Sequence, residues 1–516
     1  MSETAHTAAS RSDARLADWI PTLGSADSDW LPEAETVTAR SRDLARNHAL
    51  ASGVLQTNRD NIIGHQLRLS SKPDYKYLGW EYDEANAWGN AVEAQFRSWG
   101  DTRECDAGQS MNLLGLAHQA LTGAMMNGDG LALLLWAPRN GANWSTRVQM
   151  IESDRLETPP QFNNNPKYRG GVEIDEYGAP VAYHIRKQHP GDSLLGYALD
   201  QHEYERIPAF TPWGRPLVIH LHDKDRSGQS RGKPIFTAVL REFRVAGEYI
   251  GSELQAAAVN ALIAAFLESD LPPDAVAELF GSDPSDAGSY WKQVSERTHR
   301  KKLEGGSIFN LPIGTKLSSF DPSRPNVAFG DFMEAVLRHI SAGLNIPYEL
   351  LAKDFSKTNY SSARAALLEA WRYFLGRRRW LKDYFLQPIY EAWMEEAVNT
   401  GRVVAPDFYA KRYGYTRCKF VFAGRGWVDP VKESKAAELR MNIGISTLED
   451  ECAEQGNDWE EVMKQRLREE KAERELREEM GLPIVTNLTN NDVVEEPGQP
   501  DEEDEDEEED DKKNRD

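Results

Sequence analysis

Apolar positions recur at helical spacing through the first part of the chain. Val37, Leu44, Ala51 and Leu55 stand three to four residues apart or at multiples of that, which predicts one amphipathic helix opening near Pro32 and ending at Gly64. Trp88, Val92, Phe96 and Trp99 share a face of a second helix, and a third spans Ser110 to Asn127, closed by Gly128. Short β-rich runs follow, bounded by Gly, Pro and Asn: "LALLLWA", "RVQMIES", "GVEIDEYGAPVAYHIRK" with a turn at Tyr177-Gly178, and "LVIHLH". From Pro234 to Ser269 the pattern predicts a continuous helix of 36 residues, roughly 50 Å long at 1.5 Å per residue. A mixed section runs from Leu271 to Pro325. Helical spacing returns from Asp331 to Leu344 and from Ser361 to about Val398, where Pro388 should bend or break the helix, and a charged helix covers 459–480.

The fold class is therefore α+β and mostly helical. At 516 residues the chain exceeds what one hydrophobic core usually organises, so two or more domains are expected. Cys105, Cys418 and Cys452 are too scattered for a disulfide framework or a zinc knuckle. "MSETAHTAAS" has no signal-peptide pattern, and the most apolar run, Leu254 to Leu267, is too short to span a bilayer, so no membrane role is expected.

Charge changes the picture more. Of the net −23, residues 495–516 carry −11, which leaves −12 for the rest; the terminal "DEEDEDEEEDD" reads as a solvated acidic tail. Against that background residues 345–380, "NIPYELLAKDFSKTNYSSARAALLEAWRYFLGRRRW", hold seven Lys or Arg and three acids. Arg364, Arg372 and Arg379 fall on one helix face, within roughly 80° at 100° per residue, beside an apolar stripe of Leu367, Ala370, Trp371 and Phe374. Lys353 and Lys357 flank Phe355 on the preceding loop, a pattern suited to touching a phosphate backbone without reading bases. A solvated flank or ion pairs to a neighbour account for the arginines equally well.

Three other motifs carry candidate chemistry. "GQSRG", Gly228 to Gly232, matches the G-x-S-x-G elbow of α/β-type serine hydrolases, but "HDKDRS" separates it from the strand that should drive Ser230 into a strained turn, so an exposed loop is expected instead. "IHLHDKD" places His220 and His222 on one strand face with Asp223 and Asp225 following, yet offers no third well-spaced ligand cluster; no metal and no cofactor are expected. "GQSRGKP" is one residue too short for a phosphate loop, and Pro234 follows its lysine.

Five blocks together resemble the lambda-type portal protein family of tailed bacteriophages over roughly residues 35–470: "RSRDLARNHALASGVL", "VIHLHDKDRSGQSRGKPIFTAVL", "GGSIFNLPIGTKLSSFDPSRPNVAFGDF", "IPYELLAKDFSKTNYSSARAALLE" and "WVDPVKESKAAELRMNIGISTLEDECAEQG". "GQSRG" then belongs to an Arg-x-Gly-Gln-x-Arg-Gly motif beginning at Arg226, and the acidic tail lies outside the pattern. The resemblance implies a portal fold with wing, stem, clip and crown regions around a central channel. It implies a dodecameric ring of this chain at one capsid vertex, a non-enzymatic conduit for packaging and ejecting double-stranded DNA. The partners implied are major capsid and scaffolding proteins, the terminase large subunit and head-tail joining proteins, with assembly in the bacterial host cytoplasm and residence in the virion.

On that reading residues 1–30 are a flexible N-terminus, 31–225 the wing, 226–345 stem and clip, 346–400 tunnel loop and channel helix, 401–480 wing return and crown, and 481–516 a disordered acidic tail. Lys353, Phe355, Lys357, Asn359 and Tyr360 correspond to the tunnel loop, while Arg364, Arg372 and Arg379 face either the channel or a neighbouring subunit. The rival classes are a serine hydrolase using Ser230 and an interaction scaffold without a channel.

Overall fold

The computed structural model describes residues 6–195, 203–262, 266–269, 315–318, 329–357, 359–426 and 429–480. Contacts divide the chain into two units, residues 1–439 and 440–516. Most of the predicted section 271–325, the N-terminal five residues and the acidic tail lie outside the described residues.

The first predicted helix is two. A short α1 (Ala26–Trp30) precedes α2 (Ala34–Asn47) and α3 (Ala49–Ile62), and the break falls at His48, which is extended at φ −116° and ψ 116°. The break lets Leu44, Ala51 and Val54 converge on one buried cluster with Phe236 and Phe243, and the His48 ring packs edge-on to Phe243 at 5.0 Å. Gly64, at φ 74°, turns the chain out of α3 into β1 (Leu67–Ser71). A single turn, α4 (Tyr75–Leu78), leads to α5 (Tyr82–Gly100), which buries Val92, Phe96 and Trp99 as its period requires, and α6 (Leu113–Asn127) ends at a left-handed Gly128.

β2 (Asp129–Trp136) is the centre of an antiparallel sheet between β3 (Thr146–Ile151) and the later β8 (Val218–His222). Its side chains alternate between two cores. Ala132 and Leu134 join the main cluster with α5 and α6; Leu131 and Leu133 join a second one against a four-stranded sheet, β4 (Tyr168–Arg169), β5 (Val172–Ile174), β6 (Pro180–Arg186) and β7 (Tyr204–Pro208).

The predicted 36-residue helix is shorter. Residues 235–239 are tied into turns, with the Val239 N–H donating to Phe236 O at 2.8 Å, and α7 runs Leu240–Leu262. Phe266–Ser269 is a strand, β9, paired with β10 (Thr315–Ser318). An apolar run reads alike in either period, so only the pairing partner, some fifty residues on, decides.

Beyond β10 come α8 (Phe329–Leu344), α9 (Tyr348–Ala352) and α10 (Tyr360–Leu381). The predicted break at Pro388 takes the form of a single π-turn, Lys382–Leu386, after which α11 (Gln387–Asn399) continues with Pro388 in its first turn. Proline has no N–H to donate back, and widening the preceding turn accommodates its ring without stopping the helix. α11 is the most buried helix: Ile389, Tyr390, Trp393 and Met394 sit in the main cluster, and Glu396 accepts the Ser145 and Thr146 N–H groups at 2.6 and 2.7 Å. α12 (Phe408–Thr416) leads to β11 (Cys418–Phe422), which pairs with β1 across some 350 residues of chain, a pairing no local pattern announces. α13 (Pro430–Asn442) follows.

In the second unit, Arg440 makes a two-pronged pair with Glu451 at 2.8 and 2.6 Å on α14 (Leu448–Glu454). The predicted charged helix is α15 (Trp459–Glu479), its first N–H groups capped by Asp458. Among the described residues no helix is long and apolar enough to cross a membrane.

Candidate functional site

The polar lead-in, Lys224 to Gly228, is exposed as its sequence predicts, and the chain turns inward only from Gln229 to Gly232. A Cβ at Gly128 would sit 2.4 Å from the Gly232 carbonyl oxygen, and one at Gly232 would sit 1.9 Å from that of Gly128, so two bare backbones cross here. The crossing presents Arg231 and Gly232 to Asp129, the first residue of β2. The Gly232 N–H donates to Asp129 Oδ1 at 2.8 Å, His220 Nε2 lies 2.8 Å from the same oxygen, and Arg231 Nε donates to Oδ2 at 2.7 Å. The rest of the guanidinium donates to the carbonyls of Leu156, Gly170 and Ser153 at 2.8, 2.9 and 3.0 Å. One side chain thus ties β2 to the start of the four-stranded sheet. Buried Gln229 closes the turn, accepting from Asp225 N–H at 3.0 Å and donating to Arg231 O at 2.8 Å.

This geometry bears on two candidate chemistries. Ser230 donates its hydroxyl to Asp27 Oδ2 and its N–H to Oδ1, both at 2.8 Å, and among the described residues no histidine is a hydrogen-bond partner, so the Ser–His pair of a serine hydrolase is not formed here. Asp129, His220 and His222 do bring three possible metal ligands within 4.8 Å of one another, and the third ligand missing from the sequence reading is Asp129. Both carboxylate oxygens are already engaged, Oδ1 by the Gly232 N–H and His220 and Oδ2 by the Arg231 guanidinium. Burial alone would push the Asp129 carboxyl up, but Arg231 and His220 outweigh it and hold the group well below the ordinary carboxylate range. The cluster is a structural latch.

His222 stacks on His220 at 4.0 Å between ring centroids, and its Nε2 finds no hydrogen-bond partner among the described residues. Burial, with the charge of His220 adding to it, pushes His222 down to about 3. The folded state therefore prefers the neutral ring, and its contribution to stability is complete above the ordinary value of about 6.5 and lost as pH falls from there towards 3. Between pH 7 and pH 5 the urea midpoint should drop by the equivalent of about 2 kcal/mol, and His222→Gln should flatten that part of the slope. His48 and His118, both lowered by burial, act with the same sign, so some slope persists in the variant.

The basic stretch divides between two jobs. Of the consecutive Arg377, Arg378 and Arg379, the first two turn inward. Arg377 pairs with Asp223 at the head of the latch and lies over the rings of Tyr373 and Trp380. Arg378 is buried: its Nε donates to Ile62 O at 2.8 Å, its Nη2 to Asn61 O at 2.9 Å and Ala423 O at 2.7 Å, and burial pushes its pKa down to about 10. These anchors fix α10 to α3, β11 and the latch. Sequence reasoning missed them, although a signal was present: at 100° per residue Arg378 falls inside the stripe of Leu367, Trp371 and Phe374, where a solvated arginine does not belong.

Arg364, Arg372 and Arg379 do share the exposed face. Arg364 has no ion-pair partner among the described residues, and the other two reach only Glu369 at 3.5 Å and Asp383 at 3.6 Å, on or just beyond their own helix. The loop ahead is short and internally bonded. Lys353 ends α9 in a left-handed conformation, φ 54°, exposed and without an ion-pair partner among the described residues. Asp354 accepts the Ser356 N–H and hydroxyl at 3.0 and 2.6 Å, and Phe355 is 44% exposed. Lys357 is less available than Lys353, being paired with Glu334 of α8 at 2.7 Å. Asn359 is the N-cap of α10, accepting from Ser362 N–H at 2.8 Å; Tyr360 begins the helix, and its side chain lies outside the described residues.

The phage portal proteins of the lambda family match residues 12–378, a span that takes in the latch, the loop and nearly all of α10. The chain belongs to that family. It is 28% identical over 474 residues to the portal protein of Escherichia phage N15 and 27% identical to portal protein B of Escherichia phage lambda, in each case across 88% of this chain and 87% of the relative. Among solved structures it is similar to a chain in the neck of an empty gene transfer agent particle, at 12% identity and a TM-score of 0.46, over 86% of this chain and 94% of that one.

Proposed function

We propose that this portal protein forms a closed ring, a dodecamer, at one vertex of a phage capsid, and that double-stranded DNA passes through its centre. The observation carrying the reading is the exposed loop with Lys353 and Lys357 either side of Phe355, on a body that is net −12 outside its tail. A conduit must let a polyanion slide. A few cations repeated around a ring give contacts that break and re-form, whereas a wholly basic lining would hold the duplex. Lys353, Phe355 and Lys357 form the tunnel loop on this reading, with Asn359 and Tyr360 as its helical edge. Residues 31–225 serve as wing, 226–345 as stem and clip, 346–400 as the tunnel loop and the helices that carry it, and 401–480 as wing return and crown.

The same ring offers the terminase large subunit and later the head-tail joining proteins a docking surface, is embedded among capsid and scaffolding proteins, and assembles in the host cytoplasm. None of these roles needs catalysis by the chain. Light scattering of nuclease-treated protein tests the reading. The mass should be many times the 58.2 kDa of one chain, because packed helix faces and not DNA hold a ring together. Monomers after nuclease treatment would contradict it.

A further inference from the structure

We infer that the exposed stripe of α10 is a contact face for a second copy of this chain and not a lining for DNA; the inference rests on the ring reading above. At 100° per residue, Leu375 and Leu368 fall between Arg364 and Arg372 on the same face, so the stripe reads Arg-Leu-Arg-Leu-Arg along the helix. The two leucines are 47% and 48% exposed. Phosphates would satisfy the arginines and leave both leucines in water, whereas a protein surface covers both kinds of side chain.

A second observation points the same way. Ala370, Phe374, Arg378 and Leu381 are buried, but among the described residues nothing fully buries a side chain from Ser361 to Glu369: Ala363, Ala366 and Leu367 are half-buried and the rest of these two and a half turns of α10 is exposed. A stretch this short is marginal alone in water and takes its stability from burying a face. Its sequence, "SSARAALLE", offers Ala363, Ala366 and Leu367 beside Leu368 for that purpose.

Charge identifies the occupant. Glu81, Asp83 and Glu84, at the start of α5, are exposed and have no ion-pair partner among the described residues. Each copy therefore carries both a basic stripe short of partners and an acidic corner short of partners, on different surfaces. A contact that joins unlike patches of identical chains is heterologous, the kind that closes into rings.

The test uses full-length protein, sized by light scattering beside circular dichroism. Leu368→Ser with Leu375→Ser changes only half-exposed side chains, so helicity should match the parent while assembly at equal concentration falls at least tenfold. Arg364→Glu with Arg372→Glu should do the same, and it decides the question if the serine variant fails to fold. Variants that assemble like the parent but hold duplex DNA less well would overturn the interface and assign the stripe to the channel. A parent that is itself monomeric would overturn the ring, and the interface with it.

Discussion

Arg231→Ala should destabilise the protein by about 3–5 kcal/mol, the range for removing one partner of a buried ion pair. Asp129 would be left buried without its guanidinium, keeping only His220 and the Gly232 N–H, and the carbonyls of Leu156, Gly170 and Ser153 would lose their donor. Against a total stability of about 5–15 kcal/mol for a typical domain, that is enough to unfold or aggregate much of the population. Urea titration reads it directly. Asp129→Asn in the Arg231→Ala background should recover part of the loss by removing the orphaned charge, which a simple packing defect would not. A single variant within about 0.5 kcal/mol of the parent would show that the latch carries little.

Lys353→Ala together with Lys357→Ala should leave folding and assembly intact and reduce packaged or retained DNA. Both side chains are exposed and neither touches a core cluster. Lys357 already has Glu334, so Lys353 alone should account for most of the effect, and Lys357→Ala for little. Charges in water are screened over about 8–10 Å at ordinary ionic strength, so the defect appears only if the loop comes within that distance of the duplex. Capsids carrying both substitutions that hold full-length DNA as well as the parent would remove the loop from the DNA path.

Legibility in the sequence followed the range of the interaction. Helices whose faces were set by their own spacing, such as Trp88 to Trp99, were readable; the break at His48 was not, because it serves contacts with Phe236 and Phe243 far along the chain. β1 and β11 were invisible for the same reason, each being too short to read without its partner. At the candidate site, the exposed arginines were found by their angle on the helix. Ser230 and His220 were noticed as motifs, but their partners, Asp27 and Asp129, lie 203 and 91 residues away, so a hydroxyl tied to a carboxylate and a saturated latch could only be seen once folded.

The central claim is a ring with a channel, and electron cryo-microscopy of the purified, nuclease-treated protein tests it most directly. Rotationally symmetric particles with an open central passage, and with residues 353–357 at its wall, are the predicted result. Compact monomers, or symmetric particles closed at the centre, would contradict it.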